Sequence, residues 1–368
     1  MLTLYLDANA TEPLRPESRA AVLEALELPG NPSSVHAEGR AARRLLERAR
    51  AQVAARFGAR PQDVVFTSGG TEADALAIRG LGAGRRVLVG ATEHPAVLAA
   101  TPGAARVPVR PDGALDLDAL AAALADGPPA LLCLMHANNE TGVVHPVAEA
   151  AALCRQYGAL LHVDAAQSGG RIPVSLAALG ADSLAVSGHK LGGPKGAGAL
   201  LLRPGLEIPA LIPGGGQERG RRGGTEPLPA IAGLGAAAEA ADPPGAARLA
   251  VLRDAIEAGA GLPVAGAGAP RLPNTASLIL PGIPSETQVI ALDLAGVRVS
   301  AGSACSSGKV ARSHVLEAMG LGAAAGCAIR VSLPWNAPAE AAERFLSAHA
   351  AMRERLSNRA AARPIFAA

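Results

Sequence analysis

Ser187-Gly188-His189-Lys190-Leu191-Gly192-Gly193-Pro194-Lys195-Gly196 follows a short apolar run at 184–186. Upstream, the apolar run at 160–163 leads into His162-Val163-Asp164-Ala165-Ala166-Gln167. An amine guarded by Ser and His, with a carboxylate closing an apolar strand, fits a lysine that forms a Schiff base with pyridoxal phosphate. Such a lysine must be partly neutral to attack a carbonyl. Its ordinary pKa is roughly 10.4, so the site has to depress it. The cofactor's ring nitrogen needs the opposite treatment, because it works as an electron sink when protonated and a carboxylate partner keeps it so. Asp164 is costly to bury unless a cation pairs with it, and a protonated ring nitrogen would serve.

Outward from this stretch, residues 60–205 repeat one pattern: a short apolar run, a Gly-rich polar turn, an amphipathic stretch. Strands are predicted at 64–67, 87–89, 130–135, 160–163, 184–186 and 198–202. Helices are predicted over 71–79, after His94-Pro95, and over 147–157. Strands that are apolar throughout, rather than alternating, belong to a parallel sheet covered on both faces. The expectation is an α/β large domain whose functional residues follow the strands, where open α/β sheets bind ligands. A boundary is expected at Ala241-Asp242-Pro243-Pro244-Gly245. Beyond it the pattern is α+β: strands at 276–280 and 329–333, a helix over 285–295, and a last helix N-capped by Asn336 with Pro338 in its first turn.

The bulk numbers are consistent with this reading. A chain of 368 residues suggests two domains at about 150 residues each. With 49% hydrophobic and 18% charged residues it can bury a large core, and with 2% aromatics that core is aliphatic. A net charge of +2 gives no electrostatic reason to expect nucleic acid. The basic cluster Arg219, Arg221 and Arg222 is interleaved with glycines and suits a phosphate or carboxylate better than a duplex. Cys133, Cys154, Cys305 and Cys327 include no CxxC pair, so zinc-ribbon and thioredoxin readings fail. Met1 to Asp7 has no signal-peptide pattern, and no apolar stretch reaches membrane-spanning length. A cytoplasmic protein with reduced thiols and no membrane partner is expected.

Several motifs carry chemistry. Ser68-Gly69-Gly70-Thr71-Glu72 follows a strand and opens a helix, a place where free N–H groups bind anions; taken alone it equally suits an ordinary glycine turn with a Thr cap. The GxGxxG fingerprint and the P-loop both fail, the latter because Val310 stands where Ser or Thr must bind magnesium. His94, after another strand, could stack on a flat ring and shuttle protons, or be a turn residue. His162 and Asp164 lack further ligands in metal spacing, so no metal site is expected. Arg330 interrupts an apolar strand, so a carboxylate partner is expected: a structural one, or the α-carboxylate of an amino-acid substrate. Val299-Ser300-Ala301-Gly302-Ser303-Ala304-Cys305-Ser306-Ser307-Gly308-Lys309 reads as an exposed, mobile loop with one thiol, and Lys309 favours its thiolate. Cys133, Cys154 and Cys327 read as packing residues.

Together these residues resemble the class V aminotransferase family, and within it the cysteine desulfurases of the IscS/NifS branch. The likeness runs through Leu6-Asp7-Ala8-Asn9-Ala10-Thr11, Asn31-Pro32-Ser33-Ser34-Val35-His36, Thr67 to Glu72, Thr92-Glu93-His94, His136-Ala137-Asn138-Asn139-Glu140-Thr141-Gly142, the Asp164 and Lys190 motifs, Gly214 to Thr225, and Gly302-Ser303-Ala304-Cys305-Ser306-Ser307-Gly308. The last of these is the element most specific to desulfurases. The resemblance implies fold type I of the pyridoxal phosphate-dependent transferases. That means a large domain, 12–245, with a mainly parallel seven-stranded sheet, and a small α+β domain, 246–368, completed by residues 1–11.

It also implies roles. Lys190 holds the cofactor, Asp164 pairs with its ring nitrogen, and His94 stacks on the ring and moves protons. Asn139 and Gln167 lie near its phenolic oxygen. Gly70, Thr71, Ser187 and His189 bind its phosphate, and Thr225 reaches the phosphate in the neighbouring subunit, which implies a homodimer. Arg330 binds the substrate carboxylate, with Asn139 and Asn9 or Asn31 nearby. L-cysteine is converted to alanine, and its sulfur passes as a persulfide on Cys305 to an acceptor such as an iron–sulfur scaffold; Cys305 is also the candidate for a transient iron–sulfur ligand. The alternative within the family is another pyridoxal phosphate-dependent lyase or aminotransferase, such as a selenocysteine lyase. Gly223 and Pro334 depart from the usual Ser and Gly without removing a catalytic group. The chain ends at Ala368, soon after its last helix, whereas housekeeping members often carry a longer tail for docking a scaffold.

Overall fold

The computed structural model describes residues 3–241, 245–302 and 312–361. Two short elements and a long helix open the chain: β1 (Leu4–Tyr5), α1 (Pro16–Leu26) and α2 (Ala37–Phe57). The alternating region follows as β2 (Val64–Thr67), α3 (Gly70–Leu81), β3 (Arg86–Gly90), α4 (Pro95–Ala100), β4 (Ala105–Val107), α5 (Leu117–Ala125), β5 (Ala130–Met135), α6 (Val147–Gln156), β6 (Leu160–Asp164), α7 (Leu176–Leu179), β7 (Ser183–Ser187) and β8 (Gly198–Leu202). The C-terminal third contains α8 (Leu228–Ala240), α9 (Ala247–Ala260), β9 (Thr275–Ile279), α10 (Ser285–Leu294), β10 (Val297–Arg298), α11 (His314–Ala318), β11 (Ala328–Ser332) and α12 (Ala341–Ala361).

Strands β2 to β8 form a seven-stranded sheet in the order β2-β8-β7-β6-β5-β3-β4. It is parallel from β4 through β7, and β8 runs antiparallel to both β7 and β2. Two aliphatic cores cover its faces. One packs α2, α5, α6 and α8 residues such as Leu46, Phe57, Leu120 and Leu234 against Leu132, Leu161 and Leu184. The other packs α3 residues Leu76 and Ile78 against Val65, Leu131 and Leu200. Burial on both faces explains why these strands read as continuous apolar runs.

A separate core holds the smaller region together. Antiparallel β9 and β11 pack on α9, α10 and α12 through Leu278, Ile329, Ile256, Leu292 and Phe345. The N-terminus joins this core: β1 pairs in parallel with β10, Asp7 bridges to Ser332, and Leu4 and Leu6 are buried there. Among the described residues, no helix is long and apolar enough to cross a membrane.

The last helix begins at Ala341, not at Asn336. Trp335 is pinned first: its backbone N–H donates to Glu12 Oε2 at 3.2 Å and its indole N–H to the Pro13 carbonyl at 2.9 Å. Turns closed by Ala337 N–H on Pro334 O and Ala341 N–H on Pro338 O then delay the helix. Pro338 also biases Ala337 away from helical geometry.

Candidate active site

The carboxyl ends of the central strands converge on a cavity of about 650 Å³. Its lining includes Gly70, Thr71, His94, Asn139, Asp164, Gln167, Ser187, His189 and Lys190. Asp164 closes β6 and Ser187 closes β7, while Gly70 and Thr71 open α3 after the turn that leaves β2. That turn is tightly held. A Cβ on Gly198, the first residue of β8, would sit 2.6 Å from the Gly69 backbone. The Ser68 N–H donates to Glu72 Oε2 at 2.7 Å, and Arg222 pairs with the same carboxylate at 2.9 Å.

Lys190 ends a one-turn 3-10 helix directly after β7. The N-terminal segment wraps this turn: Glu12 N–H donates to the His189 carbonyl, and Arg15 N–H to that of Gly192. Lys190 Nζ donates to the backbone carbonyls of Asn9 and, at 3.0 Å, Ala10. Neither carbonyl carries the full charge that would hold the ammonium protonated. Burial, followed by the Arg330 and Arg171 guanidiniums, outweighs the pull of Asp7 and Asp164 and lowers the amine to about 7. A lysine so placed is partly neutral at physiological pH.

Asp164 is nine-tenths buried, and among the described residues its carboxylate accepts one hydrogen bond, from the Ala166 N–H at 2.8 Å. Burial and the like charge of Asp74 raise it to about 6. His94 caps α4, its Nδ1 accepting from the Ala96 N–H at 3.1 Å; desolvation, ahead of Lys190 and His314, pushes its imidazole below the ordinary value against the pull of Asp164. His189 Nδ1 lies 3.1 Å from Thr11 Oγ1, and burial, Lys190, Lys195 and Arg171 lower it to about 4. Gln167 is fixed by Arg171 Nη1, which donates to its Oε1 at 2.7 Å, and by its own Nε2 donating to the Asn9 carbonyl at 3.0 Å.

Arg330 lies on β11 beside this lining. Its Nη2 donates to Asp7 Oδ1 at 2.7 Å and its Nη1 to the Asn139 carbonyl at 3.1 Å, while its buried Nε has no partner among the described residues. The Asn9 side chain is wholly enclosed by Asn139 O, Thr275 Oγ1 and Asn274 Nδ2, so it is the Asn9 carbonyl that faces Lys190. Thr225 is exposed and is not part of this cavity's lining. Cys305 lies outside the described residues.

The arginine cluster serves the protein itself rather than a phosphate. Arg222 pairs with Glu72, Arg221 donates to the Gln62 carbonyl at 2.7 Å, and Arg219 approaches Glu47 at 3.8 Å. These contacts anchor the loop that carries Thr225. Cys133 and Cys154 are buried and their thiols raised, Cys133 well above the ordinary value and Cys154 to about 12, so neither is a ready nucleophile. Among the described residues, no three His, Cys, Asp or Glu side chains are grouped to hold a metal. The residues that sequence reasoning missed are Asp74 and Glu93. Both are buried against β5 and β6, and Glu93 Oε1 accepts the Met135 N–H at 2.7 Å. An acidic residue among the apolar positions of α3 was the available signal for Asp74.

This donor set fits pyridoxal phosphate. The cavity holds an amine near neutrality for the aldehyde. Asp164 supplies a buried carboxylate with one hydrogen bond for the ring nitrogen. The free N–H groups opening α3, with Thr71, Ser187 and His189, suit a phosphate.

Comparison with known proteins agrees. The family model described as aminotransferase class-V matches residues 4–345. A curated cysteine desulfurase from Cereibacter sphaeroides is 46% identical over an alignment of 363 positions that covers 92% of this chain and 93% of that protein. A NifS-like protein from Rickettsia africae ESF-5 superposes with a TM-score of 0.89 at 32% identity, covering 96% of this chain and 99% of that one. The structure of SspA in complex with cysteine superposes with a TM-score of 0.80 at 30% identity, covering 90% and 99%.

Proposed function

Since this chain belongs to the class V aminotransferase family, we propose that it acts as a cysteine desulfurase and passes the sulfur of L-cysteine to an acceptor through Cys305. It is a pyridoxal phosphate-dependent enzyme of fold type I. The observation that carries the reading is the joining of Lys190 and Asp164 in one cavity with the N-terminus of α3.

When bound, pyridoxal phosphate supplies an electron sink for the charge left by loss of a substrate α-proton. The chain's residues do the rest. Lys190 would hold the cofactor, and its Nζ, when free, would accept the α-proton of cysteine. Asp164 keeps the ring nitrogen protonated, and His94 covers the ring and returns a proton. Gly70, Thr71, Ser187 and His189 hold the phosphate, with Thr225 contributed across a homodimer interface. Asn139 and Gln167 face the phenolic oxygen. Arg330, oriented by Asp7 and the Asn139 carbonyl, receives the substrate carboxylate.

The Cys305 thiolate attacks the substrate sulfur. The Cβ–S bond of cysteine breaks, an S–S bond forms on Cys305, and the carbon keeps the electron pair, takes a proton and leaves as alanine. The family's usual acceptor supports an iron–sulfur scaffold as the destination, and free thiols support a cytoplasmic setting. Cys305→Ala is expected to keep the visible absorbance of bound cofactor and to lose sulfide release from L-cysteine; undiminished sulfide release would remove Cys305 from the mechanism.

A further inference from the structure

The chemistry above leaves Asp74 without a task, although it lines the Lys190 cavity. It sits on the buried face of α3, 2% exposed, with Oδ1 3.1 Å from His162 Nε2. His162 Nδ1 lies 2.8 Å from Ser183 Oγ, and both side chains are wholly buried. His162 and Asp164 are two residues apart on β6 and so face the same side of the sheet. A hydroxyl donates or accepts, which leaves the imidazole two tautomers. With Asp74 protonated, its O–H donates to Nε2 and the Nδ1–H donates to Ser183 Oγ. With Asp74 ionised, the Nε2–H donates to Oδ1 and the Ser183 O–H donates to Nδ1. One proton is lost between the two states, the imidazole is neutral in both, and every hydrogen bond persists.

We propose that Asp74 is a positioning residue of the cofactor site: its charge, held by His162 in the same cavity lining as Asp164, sets how tightly the ring nitrogen of the bound cofactor holds its proton. The inference rests on the pyridoxal phosphate reading above. The neighbouring groups leave this task to Asp74. Glu93 faces it from the turn after β3 and Cys133 from β5, and burial with the surrounding carboxyls keeps both protonated. His162, held by burial to about 4, stays neutral. His94 and Lys190 face Asp164 from the cavity. Burial raises Asp74 itself to about 7, so its charge turns on near neutral pH.

The test is a pH titration followed by 15N NMR of holoenzyme reconstituted with pyridoxal phosphate labelled at the ring nitrogen, comparing the unaltered chain with Asp74→Asn and with Asp74→Ser as a second neutral replacement. Losing a nearby negative charge weakens the hold on the ring proton. The ring-nitrogen transition of a neutral variant is therefore expected about one pH unit lower, with cofactor still bound. A purely packing role for Asp74 would not move that transition, and a cofactor-loaded neutral variant that titrates at the unaltered pH overturns the inference. If the unaltered chain gains no visible absorbance from pyridoxal phosphate, the parent reading fails and takes the inference with it; the two failures are thus separable.

Discussion

Lys190 donates to two neutral backbone carbonyls, while Arg330 and Arg171 repel its charge. Attack on the cofactor needs the neutral amine, so the sign is fixed. The rate at which apo-protein captures pyridoxal phosphate is expected to rise as pH increases through about 7 and to level off above it. Stopped-flow absorbance at constant cofactor concentration checks this, and a rate that keeps rising towards pH 10 would place the amine at its ordinary value. Lys190 and Asp164 were legible in the sequence because a charge that ends an apolar strand needs a reason. Glu93 was not, because a lone acid in a turn reads as solvent-facing until the sheet is brought against it; Asp74 left one signal, an acid among the apolar positions of α3, but not what it would face. Asn9 was legible as a neighbour of the site, but its side chain is enclosed and only its carbonyl meets Lys190.

The turn between β2 and α3 has its shape set by β8. Gly198 pairs with Thr67 on one side and Ser187 on the other, and its missing side chain admits the Gly69 backbone. Gly198→Ala must push that backbone away from the anion-binding end of α3. It is expected to cost about 1–3 kcal/mol of stability, as overpacking does, and to weaken cofactor retention; urea unfolding and cofactor content after dialysis measure both. The antiparallel run of β8 follows from its connection: the Gly- and Pro-rich stretch after Ser187 contains only one 3-10 turn, whereas a parallel neighbour needs a crossover of about a dozen residues or more. The late start of α12 was not legible, because Trp335 is held by Glu12 and Pro13, more than three hundred residues away in the chain. β1 and β10, two residues each, are too short to leave a periodic signal.

At the scale of the whole molecule, distant segments are tied to the cavity by buried polar links. Glu218 accepts from Arg50 at 2.7 and 2.8 Å and from the Phe66 N–H at 2.9 Å. It does so from a left-handed backbone, with φ of 48° at Glu218 and 58° at Arg219. This link joins the loop that carries Thr225 to α2 and β2. Glu218→Ala leaves the buried Arg50 guanidinium with one carboxylate, the part-exposed Glu47, 3.2 Å from its Nε, and is expected to cost about 3 kcal/mol in urea unfolding, the low end for breaking a buried pair. The sulfur chemistry itself depends on joining the Lys190 cavity to Cys305. The most direct measurement is one incubation of cofactor-loaded protein with L-cysteine, with alanine quantified and the Cys305 peptide weighed by mass spectrometry. The account predicts alanine together with one added sulfur atom on Cys305, and neither product from Lys190→Ala. Alanine released while Cys305 carries no added sulfur would contradict it.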